Sequence, residues 1–223
     1  MCGIAGYFGS RRLEPSSINS CLGLMGRRGP DSTGVFEHHP SADRAVYLLH
    51  SRLSIIDLEE RANQPFRAGE NVLVHNGELY NYLEVKRELE ADGCVFGTES
   101  DTEVLLAIMK EYGWRGLDRC EGMWAFALYD EAEGSLILCR DRFGEKPLYL
   151  YRDSTGLYFG SEVKFITALL GRRMEVNIDH LYRYMVNGYK ALYKDGHRFF
   201  KGVSELSPAS VLSIDRFGAE KSR

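Results

Sequence analysis

The residue with the most chemical potential in this chain stands at position 2, where a cysteine follows Met1 and leads straight into the apolar run Gly3-Ile4-Ala5-Gly6-Tyr7-Phe8. Removal of Met1 would leave Cys2 as the N-terminal residue. A terminal cysteine carries both a thiol nucleophile and an α-amino group, whose reference pKa of about 7.7 to 8.0 suits it to act as a base near neutrality. Aminopeptidases that remove initiator methionine accept small second residues, and cysteine is small. Taken alone, the bland reading is the stronger: buried free cysteine is common and behaves as a small hydrophobe.

Other residues suggest a site only in combination. Asn76-Gly77 after a strand is most often a type I′ turn. Here Glu78-Leu79-Tyr80-Asn81 follows and starts a helix cap rather than a returning strand. An Asn amide beside a glycine N–H is a donor pair that could hold an oxyanion. Asp101 falls in the first turn of a helix, where acids are commonplace because of the helix dipole. Arg52 lies between His50 and Leu53 in a strand-like segment, ordinarily an edge position, and His50 and His75 read as structural.

The elements that must position these residues follow from periodicity. A strand over 4–8 ends at Gly9, and a helical stripe over 17–27 carries Ile18, Cys21, Leu22 and Met25. A Gly/Pro-punctuated loop over 27–34 precedes strand candidates around Val35 and over 45–53. Residues 71–75 read as a short buried strand that stops at Asn76-Gly77. Asn81 with Glu84, and Ser100 with Glu103, have the spacing of capping boxes for helices that end at Gly93 and Gly113. Residues 123–129 and 135–140 form a hairpin around the turn at 130–134, followed by strands over 148–151 and 157–160 and short helices over 163–170 and 179–188. The last fifty residues read as trailing elements.

Composition narrows the class. With 223 residues, 44% of them hydrophobic, the chain can build a full core, and the absence of repeats or a low-complexity linker points to one continuous α+β domain. A net charge of −4 with scattered Lys and Arg carries no nucleic-acid footprint. No stretch approaches eighteen apolar residues and no signal segment opens the chain, so neither membrane spanning nor secretion is expected. Five cysteines without a CxxC argue against a disulfide framework and a zinc site, and for a cytoplasmic location; the six histidines show no metal-ligand spacing.

Together these stretches resemble the class II glutamine amidotransferases, whose nucleophile is an N-terminal cysteine, and among them the glutaminase domain of asparagine synthetase. The text that carries the likeness is Met1-Cys2-Gly3-Ile4-Ala5-Gly6, Arg28-Gly29-Pro30-Asp31, His50-Ser51-Arg52-Leu53-Ser54-Ile55-Ile56-Asp57, Asn76-Gly77-Glu78-Leu79-Tyr80-Asn81, Ser100-Asp101-Thr102-Glu103, Gly122-Met123-Trp124-Ala125-Phe126-Ala127 and Arg140-Asp141-Arg142-Phe143-Gly144-Glu145-Lys146-Pro147-Leu148-Tyr149. The wording around Arg52 and Arg140 favours the asparagine synthetase branch.

The resemblance implies an N-terminal nucleophile αββα sandwich, two antiparallel sheets between helical layers, spanning residues 1–223. It implies hydrolysis of L-glutamine to L-glutamate and ammonia through a Cys2 thioester, with Asn76 and Gly77 holding the oxyanion. Arg52 would grip the substrate α-carboxylate in a bidentate fork, and Asp101 would pair with its ammonium, helped by Glu78; Ser54 and Ile55 complete the implied substrate site. No cofactor or metal is expected in this chain, because ATP and Mg belong to a synthetase domain whose Ser-Gly-Gly-x-Asp-Ser loop does not occur here. That domain, in cis or in trans, is the expected partner, and a homodimer is compatible with the reading. The chain is then either a piece of a longer protein or a stand-alone glutaminase. The 27–34 loop and the 140–149 stretch are either loops that a partner orders or simple turn-formers. The rival is a glutaminase-like binding or regulatory module without catalysis.

Overall fold

The computed structural model describes residues 1–191, 196 and 198–223. In chain order, β1 (Gly3–Gly9) leads to α1 (Pro15–Met25), then to the hairpin of β2 (Ser32–Ser41) and β3 (Arg44–Arg52). Next come β4 (Phe66–Ala68), β5 (Asn71–Leu79), α2 (Tyr82–Ala91) and α3 (Asp101–Tyr112). The second half holds β6 (Gly122–Asp130), β7 (Ser135–Arg140), β8 (Tyr149–Asp153), β9 (Gly156–Gly160), α4 (Val163–Leu170), α5 (Ile178–Asn187), β10 (Val203–Glu205), β11 (Ser210–Ile214) and β12 (Glu220–Ser222).

These strands form two six-stranded sheets, ordered β10-β8-β9-β1-β3-β2 and β12-β11-β7-β6-β5-β4. Alternation along each strand explains the layering, because successive side chains point to opposite faces. Ile4 and Phe8 of β1, Val46 and Leu48 of β3, Val72 and Val74 of β5, and Ala125, Ala127 and Tyr129 of β6 meet in one buried cluster between the sheets. The opposite faces are equally apolar. Ala5, Tyr7, Tyr47 and Leu49 pack under α1 and α4, and Leu73, Phe126 and Leu128 pack under α2 and α3. A strand that is apolar on both faces must be covered on both, which yields the helix–sheet–sheet–helix order. The αββα sandwich is therefore the observed fold. None of the described helices is long and apolar enough to cross a membrane.

Several local readings need correction. β5 does not stop at Asn76-Gly77 but runs on to Leu79, because β6 pairs with it throughout, Gly77 opposite Trp124 and Leu79 opposite Gly122. Asn81 does not cap α2; its amide bridges Arg119 O (2.9 Å) and the Glu121 N–H (2.8 Å), tying the helix start to the entry of β6. Ser100 does cap α3, accepting from the Thr102 N–H. Its intended partner Glu103 turns away to accept from the N–H groups of Gly97 (3.0 Å) and Thr98 (2.7 Å). The last fifty residues are more than trailing: β10 pairs with β8 and β11 with β7, so they extend both sheets.

Candidate active site

At one end of the inter-sheet core the inward-facing stripe turns from apolar to polar. Continuing the two-residue alternation, Ile4 gives way to Cys2, Leu48 to His50 and Arg52, and Val74 to Asn76, while on β6 the apolar Met123 follows Ala125. Cys2, Arg52, Asn76 and Met123 all line one cavity of about 160 Å³, whose wall also includes Ile55, Gly77, Glu78, Asp101 and Lys146. That volume is below the roughly 300–1,000 Å³ of pockets for drug-sized ligands and suits something the size of an amino acid. Ser54 is not on the wall; its N–H donates to Asp31 Oδ2 at 2.7 Å, and its neighbours Leu53 and Ile55 face the cavity instead.

The Cys2 thiol receives the Leu53 N–H at 3.4 Å. Burial nevertheless raises its pKa, and the Leu53 contact only partly offsets that. The resting sulfur is a thiol rather than a thiolate, so a base must take its proton before it attacks. Burial pushes the other core thiols further, Cys21 and Cys139 up to about 12 and Cys120 up to about 11. Around the N-terminus, Arg28 Nε donates to Cys2 O at 2.9 Å while its Nη1 pairs with Glu162 at 3.2 Å. The Met1 amino group donates to Arg28 O at 3.3 Å.

Facing the thiol is a peeled strand edge. β4 pairs with β5 only as far as Phe66 opposite Leu73, so beyond that point the edge of β5 away from β6 has no strand beside it among the described residues. Odd-numbered residues present their backbone groups there. The His75 N–H donates to Gln64 Oε1 at 2.6 Å, His75 O accepts from His50 Nε2 at 3.1 Å, and the Leu79 N–H donates to Asp101 Oδ2 at 3.0 Å. Gly77 lies between them with the same parity, which aims its N–H at the same edge. Beside it the Asn76 side chain is 1% exposed, and neither Nδ2 nor Oδ1 has a hydrogen-bond partner among the described residues. A buried amide without partners is uncommon in a folded protein and marks a place where a ligand's polar group fits.

Gly77 has ordinary extended backbone; only space demands glycine. A Cβ there would lie 2.2 Å from Met123 O, 2.6 Å from His75 Nε2 and 2.7 Å from Trp124 Cα. Asp101 is buried at the start of α3, where the helix N-terminus favours its negative charge. Arg52 is buried too, but its two terminal nitrogens are engaged: Nη1 donates to Glu59 O (3.1 Å) and Asn63 Oδ1 (2.8 Å), and Nη2 to Ile56 O (3.1 Å) and Asp57 O. A bidentate grip on a carboxylate would exchange some of these contacts with the 56–63 loop.

The pattern of donors, thiol and buried charges agrees with what sequence comparison finds. Residues 1–223 match the family described as "Glutamine amidotransferase domain". The chain belongs to that family. It is similar to asparagine synthetase [glutamine-hydrolyzing] 3 of Bacillus subtilis, at 32% identity over 98% of this chain and 35% of the relative. A putative asparagine synthetase of Methanocaldococcus jannaschii is 33% identical over 96% of this chain and 44% of its own length. The chain thus spans less than half the length of these relatives. A solved glutamine phosphoribosylpyrophosphate amidotransferase from B. subtilis shares the fold over the whole chain, with TM-score 0.70 at 21% identity, and covers 49% of that protein.

In this amidotransferase domain some wall residues escaped the sequence reading. Met123 was legible in principle, being in phase with Ala125 and Ala127. Lys146 was not, because it sits in a loop without periodicity; it is buried, with Nζ 3.4 Å from Met1 Sδ. It is held there by Asp141, whose carboxylate accepts from the N–H groups of Phe143, Glu145 and Lys146 at 3.0, 3.0 and 2.9 Å, and by Arg140, which donates to Lys146 O at 2.8 Å. The 140–149 stretch is thereby already braced. The 27–34 loop is braced as well, through Arg28 and the Asp31 N–H to Arg52 O bond of 3.0 Å.

Proposed function

We propose that this domain, after loss of Met1, hydrolyses L-glutamine to L-glutamate and ammonia. The observation that carries the reading is the convergence of the Cys2 thiol, the unpartnered Asn76 amide, the Gly77 edge N–H and the buried Asp101 carboxylate on one amino-acid-sized cavity. Asp101 receives the substrate ammonium with help from Glu78. Arg52, with the Ile55 segment, receives its carboxylate, which leaves the side-chain amide pointing toward Cys2. The freed α-amino group of Cys2 takes the thiol proton as the sulfur bonds to the amide carbon, and the carbonyl oxygen becomes an oxyanion. The Asn76 amide and the Gly77 N–H stabilise it, each worth roughly 3 to 4 kcal/mol in comparable sites. The C–N bond then breaks, the amine returns its proton to the leaving nitrogen, and ammonia departs. Water attacks the thioester through the same oxyanion site, releasing glutamate and restoring the thiol. These steps need neither a metal nor a cofactor from this chain.

The ammonia goes to a synthetase domain in cis or in trans; the greater length of the asparagine synthetase relatives supports that assignment. A cytoplasmic setting fits five free cysteines. The test is the intact mass of the purified chain together with glutamate and ammonia release from glutamine. Protein lacking Met1 should release both in equal amounts. Folded, Met1-free protein that releases neither would leave only the binding-module reading.

A further inference from the structure

The chemistry above gives no role to the two buried histidines that flank it. His50 is fully buried near the end of β3, and His75 immediately precedes Asn76 on β5, in the opposite sheet. His50 Nε2 lies 3.1 Å from His75 O. A carbonyl oxygen only accepts, so Nε2 carries the proton and the imidazole is the Nε2–H tautomer. Its Nδ1 has no partner among the described residues, so Nε2–H is the ring's hydrogen-bonding group here. The His75 N–H is held at 2.6 Å by Gln64 Oε1, and Gln64 in turn donates to Thr102 Oγ1 at 3.2 Å. Both backbone polar groups of the residue before Asn76 are thus bound by side chains from outside its own sheet ladder.

Register gives that arrangement its meaning. His50 pairs directly with Ile4 on β1, two residues from Cys2. The imidazole therefore extends from the nucleophile's immediate neighbourhood to the strand that carries the oxyanion donors. On the core side of this bond the two sheets meet through apolar packing of Ile4, Leu48 and Val74. Apolar packing is non-directional and tolerates small slides, whereas a hydrogen bond weakens steeply as its angle closes.

We propose that His50 is a positioning residue: its Nε2–H bond to the His75 carbonyl sets the separation between Cys2 and the Asn76–Gly77 donor pair. The proposal rests on the glutaminase reading given above. Burial also keeps the imidazole neutral, its pKa lowered to about 3, so the bond keeps one form across the range in which such an enzyme works.

The test compares His50→Leu, which removes the donor, with His50→Gln, which keeps an amide N–H, both in Met1-free chain. Since a misplacement of about 1 Å can lower a rate by about 100-fold, His50→Leu should lower kcat by roughly 10- to 100-fold. Its KM for glutamine should stay within about twofold, because the head-group contacts are untouched. Affinity for the γ-aldehyde of glutamate, which forms a tetrahedral adduct with a thiol, should fall in step with kcat, while affinity for L-glutamate should not. His50→Gln should recover most of kcat and of aldehyde affinity. Wild-type kcat in His50→Leu, or equal losses in both variants that track their melting temperatures, would overturn the positioning role. A native Met1-free chain without glutaminase activity would overturn the glutaminase reading and this proposal together; an active native chain with an equally active His50→Leu would overturn only the latter.

Discussion

Gly77→Ala is the smallest change that should disable the site, and its effect can be worked from the geometry. The added Cβ would lie 2.2 Å from Met123 O, about 1.2 Å short of the 3.4 Å at which ordinary contact begins. Met123 O and Trp124 Cα, 2.7 Å away, both belong to the backbone of β6, so no side chain can swing aside to make room. The strands must part by about 1 Å, which carries the Gly77 N–H off its aim. Overpacking of this kind costs about 1 to 3 kcal/mol of stability. In a domain of this size that is a drop of roughly 2 to 4 °C in Tm per kcal/mol. Turnover should suffer more: displacing an oxyanion donor by about 1 Å lowers kcat by about 100-fold. The assay is kcat for glutamate release at a temperature where calorimetry shows the variant fully folded. Gly23→Ala is the matched control, because nothing lies within 4 Å of its Cβ position in α1, and it should raise stability by up to about 1 kcal/mol. Near-native kcat in folded Gly77→Ala protein would refute the assignment of this edge as the oxyanion site.

Cys2→Ala should abolish glutamate release and leave Tm nearly unchanged, whereas Ala at Cys21, Cys94, Cys120 or Cys139 should each retain turnover in folded protein; residual hydrolysis by Cys2→Ala would show another nucleophile. Asp101→Asn should raise the glutamine KM by roughly 10- to 100-fold, the equivalent of a lost charge-assisted contact of about 1.5 to 3 kcal/mol, without slowing alkylation of Cys2. Arg52→Lys should raise KM and also lower Tm, because its four contacts hold the 56–63 loop; an unchanged Tm would mean that the loop does not depend on it. Stability should fall on mild acidification. His50 has its pKa lowered from 6.5 to about 3 in the fold, so between those values the unfolded chain binds the proton that the folded chain refuses. Stability from this group is present above the unfolded pKa and is lost as pH falls, by about 2 kcal/mol from pH 7 to pH 5. Denaturant titrations should show a shallower loss in His50→Gln, and an unchanged slope would count against a buried neutral imidazole.

What the sequence determines by itself here is residue type and local period. Cys2 behind Met1, the Asn76-Gly77 pair and the helix-opening Ser100-Asp101 are legible as short-range features, although they point to a site only in combination. The stripe of α1 and the β6–β7 hairpin were legible because their apolar residues recur with the period of the element. The tertiary structure decided everything that depends on pairing between distant segments. β5 continues through Asn76-Gly77 because β6 is there to pair with it, which outweighs the turn preference of Asn-Gly. The site's free edge exists because β4 begins only at Phe66, opposite Leu73, and nothing within β5 encodes that. The spacing of Asn81 suggests a cap, but its side chain bridges to residues 119 and 121, and the contacts that tie Arg52 to the 56–63 loop likewise follow from tertiary packing. The bond from His50 to His75 joins residues 25 apart in opposite sheets, so no local pattern marks it. Alternation along a strand assigns a side chain to a face, but which faces meet, and which edge stays open to bind, follow only from how the strands pair across the whole chain.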